Sequence, residues 1–510
     1  EGKDSDTAAV STITGSGVYN IVGDIRAADG GILTLDLAEG SRFEGKAVLD
    51  SGNDSQSTLT MAKNSLWTLT GNSQLNSLQN EQSVIDMTGD NKAFSTLSVE
   101  TLTGNGGTII MDIDGSQVDA SDKIYVTGDF SGSQTLSLKE INGLDSDPGI
   151  GQAAENTVLA SVNGSGTFTA DDQEGTLYWQ RYELGQKDSA ASGYTTDWYL
   201  KGITNLNLPT TSVEAIAASG ALAYHTWRDH DQLLQRLGDL RQHGREEEGV
   251  WVRVKGGKLS RSDQFEFENK YTQYELGYDQ KLKSTPAYTR YAGISFSYLD
   301  GDSSYSSGSG ENKVKALNIY GTQIGAKGHY LDLVLKYSQL DNDFKVFDTS
   351  GNKITGDYDQ NGLSISAEYG RKNNLKNNWY IEPQAQLTFG RLRGTDYTTS
   401  NGIRVDQDGI DSFVGRIGFN IGKDINEKTN IYLKANLMHE FGGGYNASMV
   451  DASGTKARLD RDFDDTWFEY GLGAAVQTGK NNYFYVDVER SAGSDYKKDW
   501  QWNVGARWSF

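Results

Sequence analysis

From Gly249 to the end of the chain, apolar and polar positions alternate in segments divided by polar turns. Val250, Val252 and Val254 interleave with Trp251, Arg253 and Lys255. Ile294, Phe296 and Tyr298 interleave with Gly293, Ser295 and Ser297, and Leu331, Leu333, Leu335 and Tyr337 oppose Asp332, Lys336 and Ser338, with Val334 breaking the polar side. Pro383, Ala385, Leu387 and Phe389 oppose Glu382, Gln384, Gln386 and Thr388, and at the end Trp502, Val504, Ala506, Trp508 and Phe510 oppose Asn503, Gly505, Arg507 and Ser509. A period of two places successive side chains on opposite faces of a strand. About twelve such segments begin near residues 250, 270, 288, 313, 329, 361, 378, 411, 429, 466, 482 and 500. Each is about 10 residues or a little more, which is what a tilted strand needs to cross a bilayer core, and an even number closes an antiparallel barrel. The pattern predicts a transmembrane β-barrel with an apolar exterior and with Arg253, Glu275, Glu382, Arg416, Glu469 and Arg507 facing the lumen.

Before the barrel the period changes. Thr211 and Glu214 form a capping box, and the residues that follow carry strong helix formers and no proline. The first half is small-sided (Ala215, Ala217, Ala218, Gly220, Ala221, Ala223) and the second polar (Arg228, Asp229, His230, Asp231, Gln232, Arg236). One long helix is expected between about 205 and 248. Thirty helical residues reach about 45 Å, enough to cross an outer membrane, and with those charges the helix belongs in a polar lumen rather than in lipid.

Residues 1–204 alternate short β-rich pieces, such as Gly31–Leu37 and Ser65–Thr70, with turns of Gly, Asn, Asp and Ser at an irregular spacing near 20 residues. Leucines at alternate positions in short, stacked strands with polar turns fit the rungs of a parallel β-helix; a β-sandwich is the competing reading. The expected fold is therefore all-β, with an N-terminal parallel β-helix (1–204), a lumenal α-helix (205–248) and a C-terminal 12-stranded antiparallel transmembrane β-barrel (249–510).

Composition agrees with strands and turns. Glycine is abundant (60), proline scarce (4), and tyrosine (27) and tryptophan (10) are frequent enough for interfacial girdles. No run of about 18 apolar residues is present, so no transmembrane helix is expected. The formal charge of -22 argues against nucleic acid, which requires a basic face. Cysteine is absent, which excludes disulfides and thiolate chemistry and suits a chain that crosses a membrane unfolded. Glu1–Asp4 shows no apolar signal region, and the expectation is that a signal peptide and further sequence precede it or that the chain is a fragment.

Three local features resemble the monomeric autotransporters of the type V secretion pathway. Asn503-Val504-Gly505-Ala506-Arg507-Trp508-Ser509-Phe510 is similar to the outer-membrane assembly signal, carried by Asn503, Gly505, Trp508 and Phe510. The stretch Arg236-Leu237-Gly238-Asp239-Leu240-Arg241 resembles that family's pore-spanning segment, and Phe94 to Asp129 resembles the pertactin-like region that precedes the barrel. The resemblance implies an autochaperone region at about 87–200 closing a β-helical passenger, a linker helix and a translocator barrel. Implied partners are outer-membrane lipid, the outer-membrane assembly machinery, periplasmic chaperones and a ligand on a host or neighbouring cell, and the barrel is expected to be monomeric. Implied locations are the outer membrane for the barrel and the cell surface or extracellular space for the passenger. Rungs folding outside the cell, each burying the open edge of the one before, would bias transport outward without a nucleotide. Trp179, Trp198 and Tyr199 sit where such a template needs apolar anchors or, equally, where an ordinary core does.

Catalytic chemistry is sparse. The five histidines (225, 230, 243, 329 and 439) all follow residue 220, so residues 1–204 offer no Ser-His-Asp or Cys-His constellation. Asp112-Ile113-Asp114-Gly115 and Asp406-Gln407-Asp408-Gly409 are fragments of a calcium-loop pattern without the later ligands and read as turns. No metal and no cofactor is expected, and the chain is not expected to be an enzyme. Some autotransporters cut their linker helix at an asparagine pair; Asp231-Gln232 stands there in this sequence, so an uncut chain is expected. The leading reading is a surface-display protein with an adhesive passenger. The alternative is an outer-membrane channel or barrel enzyme with a periplasmic domain.

Overall fold

The computed structural model describes residues 9–50, 54–89, 93–141, 154–229, 232–237, 248–452, 454–479 and 481–510. Two compact units divide between Thr210 and Thr211.

The N-terminal unit is a parallel β-solenoid of about five turns. Its two long sheets each carry one column of apolar residues. In the first, Leu35 pairs with Leu59, Leu59 with Leu78, Leu78 with Leu102 and Leu102 with Phe130. In the second, Phe43 pairs with Trp67, Trp67 with Ile85, Ile85 with Ile109 and Ile109 with Leu136. Both columns are buried in a single core. Each rung exposes an apolar stripe that only the next rung can cover, so stacking supplies the hydrophobic drive. Phe43 and Trp67 stack with ring centroids 5.6 Å apart, and the Trp67 indole donates to the carbonyl of Gly45 at 2.9 Å. The steps along the first column are 24, 19, 24 and 28 residues, because polar turns of different length project from rungs of constant width. A sandwich is excluded by the parallel pairing.

At its C-terminal end the solenoid changes hand of pairing. Val158–Gly164 pairs parallel on one side and antiparallel with Thr196–Pro209 on the other, which in turn pairs antiparallel with Tyr178–Asp188. Trp198 lies in the core, edge-on to Phe168 at 5.6 Å. Trp179 and Tyr199 are only half-buried.

The second unit is a closed antiparallel barrel of twelve long strands: β1 (Gly249–Arg261), β2 (Phe267–Ser284), β3 (Tyr288–Tyr305), β4 (Gly308–Gly325), β5 (His329–Phe347), β6 (Lys353–Arg371), β7 (Trp379–Leu392), β8 (Ile410–Asn426), β9 (Thr429–Glu440), β10 (Asp465–Gln477), β11 (Asn482–Ala492) and β12 (Tyr496–Ser509). Strand β12 returns to β1, closing the ring. Leu331, Leu333, Leu335, Tyr337, Leu363, Ile365, Leu387, Phe389, Ile417, Leu433, Leu472, Val486 and Val504 are exposed on the outer wall, an apolar band that only lipid covers favourably. Several strands are longer than the pattern predicts, up to 19 residues in β5 and β6. Outward positions of β5 turn polar after Tyr337 (Gln339, Asp341, Lys345), while the inward Leu340, Phe344 and Val346 are buried; above the band water replaces lipid outside the wall, so the apolar and polar faces exchange and the pattern that marks a membrane strand ends while the strand goes on.

The expected helix from 205 to 248 is shorter and broken. Asn205 to Pro209 belong to the strand Thr196–Pro209. The helix α1 spans Thr211–Arg228 and α2 spans Leu233–Leu237; residues 230–231 and 238–247 of the expected helix lie outside the described residues. The solenoid's last sheet claims residues 205–209, and at Asp229 the barrel wall competes for the backbone and side chain that would continue α1. Among the described residues no helix is long and apolar enough to cross a membrane.

Candidate functional site in the barrel lumen

The lumen holds α1 and α2. Small side chains along α1 are explained by what surrounds them. The β7–β8 and β9–β10 connections do not stand away from the barrel: they contribute a four-stranded sheet, Thr395–Thr398, Arg404–Gln407, Gly444–Val450 and Lys456–Asp462, whose residues Val405, Tyr445, Ala447 and Met449 are buried. A Cβ on Gly220 would lie 2.6 Å from the Tyr445 hydroxyl and 3.0 Å from Oε1 of Gln407. Ser212 and Ser219, on the same helix, meet Asn401 at 2.9 Å and the Tyr358 hydroxyl at 2.8 Å.

Toward its C-terminus α1 meets charge. The Tyr224 hydroxyl donates to Glu440, whose carboxylate also accepts from Ser412 (2.6 Å) and from the backbone N–H groups of Phe413 (2.7 Å) and Gly442 (3.0 Å). Arg228 lies 3.6 Å from the same carboxylate, with its guanidinium over the rings of Tyr224, Trp467 and Tyr496. His225 stacks on Tyr496 at 4.3 Å. Trp227 is fully buried, with its ring against Gly390.

Where α1 ends, Asp229 accepts from Lys255 at 3.0 Å and Lys498 at 3.2 Å, while Lys336 donates to its carbonyl at 3.3 Å. Cations gathered at a helix C-terminus are favoured by its exposed carbonyls and dipole. Beyond the break the Leu233 N–H donates to Glu368 at 2.8 Å, Gln235 donates to Glu489 at 2.8 Å, and one terminal nitrogen of Arg236 donates to both carboxylate oxygens of Asp332 at 2.9 and 2.7 Å. These groups are buried, and a buried charge persists only where it is paired and hydrogen-bonded.

All six residues expected to face the lumen are buried. Arg253 pairs with Glu275, and Arg507 with Asp279. Glu382 accepts from Gln384 at 2.9 Å. Arg416 donates to Gln384, Gln386 and Asn436, each at 2.9 Å, and faces Glu368 at 3.1 Å. Glu469 accepts from the Trp467 indole at 3.1 Å and faces Lys498 at 3.4 Å. Of the positions read as an assembly signal, Asn503 is buried and bonded to Asp487 and to the Gln235 carbonyl, Gly505 lies against Tyr485, and Trp508 and Phe510 are exposed. Gln232 is buried, its N–H donating to the Gln235 side chain at 3.1 Å; Asp231 lies outside the described residues.

Sequence reasoning set Lys255 and Lys336 on the polar faces of their strands without giving them a part in the site, and it missed Lys498, Glu440 and the inturned sheet. Lys255 was legible in principle, being two residues from Arg253 on the same face. Lys498 was not: the register of β12 against β1 shifts between Lys258 and Leu259, so that Trp500 faces Lys258 and Lys498 faces Leu259, and strict alternation breaks there. Asp114 accepts from the N–H and hydroxyl of Ser116 and from Gln117, which is turn chemistry. Among the described residues no group of three or more metal-ligating side chains is present.

The gap between the helix end and the wall, lined by Arg228, Asp229, Gln386, Arg416, Trp467 and Tyr496, measures about 30 Å³, room for no more than about two waters. At that level the lumen is filled by the protein's own chain.

A family model described as the autotransporter β-domain matches residues 250–489, and one described as pertactin matches residues 74–202. The chain belongs to the autotransporters. The probable autotransporter YcgV of Escherichia coli K12 is 28% identical over 99% of this chain and 55% of its own length, and the pertactin autotransporter of Bordetella bronchiseptica is 28% identical over 95% of this chain and 56% of its own. This autotransporter chain thus spans about half the length of the curated relatives it matches. Relatives named as serine proteases, two of them as serine protease autotransporters, also match, over 34 to 36% of their own length. The crystal structure of the β-domain of the Bordetella autotransporter BrkA is 27% identical and covers 52% of this chain and 100% of that one, with a TM-score of 0.45. The autotransporter's barrel is a monomeric outer-membrane domain, and its N-terminal unit is a pertactin-like solenoid.

Proposed function

We propose that the barrel anchors and exports its own solenoid, which acts at the cell surface as an adhesive, non-catalytic passenger. One observation carries this reading: the lumen is occupied by the segment that follows the solenoid's last strand directly in sequence, bonded to the wall by Glu440, Lys255, Lys498, Asp332 and Glu368. A channel needs an open path, and a separate periplasmic domain gives no reason for the chain to run inside its own barrel. In this reading residues 1–204 are the passenger end, with about 87–200 serving as the folding template, and 249–510 form the translocator. The antiparallel strands Tyr178–Asp188 and Thr196–Pro209 suit a template, because they cover the open edge of the last parallel strand. An adhesive role draws on the long polar surface of the stack and on the absence of histidine and cysteine from residues 1–204. Asn503, Gly505, Trp508 and Phe510 are proposed as the contact read by the assembly machinery before closure, with periplasmic chaperones holding the chain until then.

The test is protease treatment of intact Gram-negative cells producing the chain behind a signal peptide, with an epitope tag near residue 10. Loss of the tag, leaving a protected fragment that begins between about 205 and 250, supports the reading. A tag cleaved only after the outer membrane is permeabilised overturns it.

A further inference from the structure

Eleven of the twelve neighbouring strand pairs in the barrel are consecutive in sequence and joined by a connection. The pair β1–β12 is not, so its closure brings together parts of the chain some 250 residues apart and carries the largest loop-closure entropy in the barrel. Two acceptors of the lumenal segment are shared across that seam. The Asp229 carboxylate receives Lys255 of β1 at 3.0 Å and Lys498 of β12 at 3.2 Å. The Gln235 carbonyl receives Arg253 of β1 at 3.3 Å and Asn503 of β12 at 3.1 Å. Lys255 and Asn503 are themselves register partners, as are Arg253 and Gly505. Both acceptors lie just before β1 in sequence, so either can engage β1 locally and leave its second bond for the distant strand.

We propose that the lumenal segment is a seam clasp: besides filling the barrel it closes it, by holding the first and last strands together through Asp229 and the Gln235 carbonyl. The clasp couples closure of the barrel to the presence of the chain inside it. A barrel that closes empty gains neither contact, whereas one that closes around residues 229–235 gains both, with the charges desolvated together as an ion-paired set. Lys336, on β5 rather than on a seam strand, bonds to the same residue's carbonyl at 3.3 Å, and provides an internal control.

The experiment uses the full chain, in which the absence of cysteine allows clean crosslinking. Folded and unfolded barrels are separated by mobility in unheated detergent gels, and the temperature of the transition is read for Asp229→Asn combined with Asn503→Ala, with and without a seam disulfide made by Val254→Cys and Val504→Cys. These two positions are register partners on the outer wall. A second crosslink, Leu333→Cys with Ala367→Cys, joins register partners of β5 and β6 away from the seam. The expected result is a transition lowered by several degrees in the double variant, restored by the seam crosslink and not by the other, with a smaller shift for Lys336→Met. If the double variant fails to assemble, recovery of the folded band by the seam crosslink alone is the same result. A double variant that melts with the parent, a loss that both crosslinks repair equally, or a loss that neither repairs overturns the proposal.

Discussion

The hydroxyl of Tyr224 donates to Oε2 of Glu440 at 2.7 Å, joining α1 to the end of β9 across 216 residues of sequence. Glu440 also faces Arg228, and both groups are buried. Glu440→Ala leaves that guanidinium without its carboxylate, an effect on the order of 3–5 kcal/mol when one partner of a buried pair is removed. The expected outcome is a lower unfolding temperature and intermittent ion conductance in planar bilayers where the parent is silent. Glu440→Gln, which keeps an acceptor for Tyr224, should fall between the two. Parent-like conductance in both variants would show that this contact does not hold the helix.

Gly220 tests the fit between α1 and the inturned sheet. Gly220→Leu places a side chain where the Tyr445 hydroxyl and Gln407 already stand. Overpacking of this kind costs about 1–3 kcal/mol, and the sheet is the part able to move. We expect increased protease cleavage within residues 395–407 and 444–452 with the barrel itself intact. Cleavage equal to the parent's would place the slack elsewhere.

In the solenoid, Trp67→Ala removes the largest buried side chain of the second column together with its stack on Phe43. A loss of about 3–5 kcal/mol is typical for such a truncation. Because rungs couple only to neighbours, urea should melt the region around Phe43, Trp67 and Ile85 before the rest, with the barrel's gel mobility unchanged. One cooperative transition shared with the barrel would contradict this.

Asp122 predicts a pH dependence. Its carboxylate is fully buried and accepts from the N–H groups of Ser95 (2.6 Å) and Asp112 (2.7 Å). Those bonds favour the charged form, but burial outweighs them, and Asp112 and Asp86 repel it, so the carboxyl is pushed up to about 7 from an ordinary 3.8. Between those values the folded state holds a proton that the unfolded chain releases. The stabilisation is full below about 4 and is lost as pH rises through 7, at about 1.4 kcal/mol per pH unit while the two states differ. Solenoid melts should therefore be higher at pH 5 than at pH 8, and Asp122→Asn should flatten the slope. A parent profile that rises with pH would reverse the assignment.

The barrel strands were legible because lipid on one side and polar lumen on the other enforce a period of two: Leu331 to Tyr337 have no other reason to alternate. Helix α1 was legible from Thr211 and Glu214, but its end was not, since a single Asp229 among polar residues does not stop a helix until Lys255, Lys336 and Lys498 take its carboxylate and carbonyl. Strand Lys456–Asp462, with its alternation of basic, small and acidic residues, reads as a loop; it becomes a strand through Gly444–Val450, whose Tyr445 and Met449 find their cover only inside the barrel mouth. In the solenoid the columns were visible as alternate leucines, while turns of unequal length hid the repeat.

The reversal of strand direction after Val158–Gly164 makes the solenoid a polar column in the directional sense. In the sheet that contains Val158–Gly164 the C-terminal edge is sealed by strands running the wrong way to accept another parallel rung, so growth of that sheet by further coils or by end-to-end joining with a copy is directed to the opposite face. Length in such a protein is free to vary at one end alone, while the end that precedes the barrel in sequence stays fixed in structure whatever is built upon it.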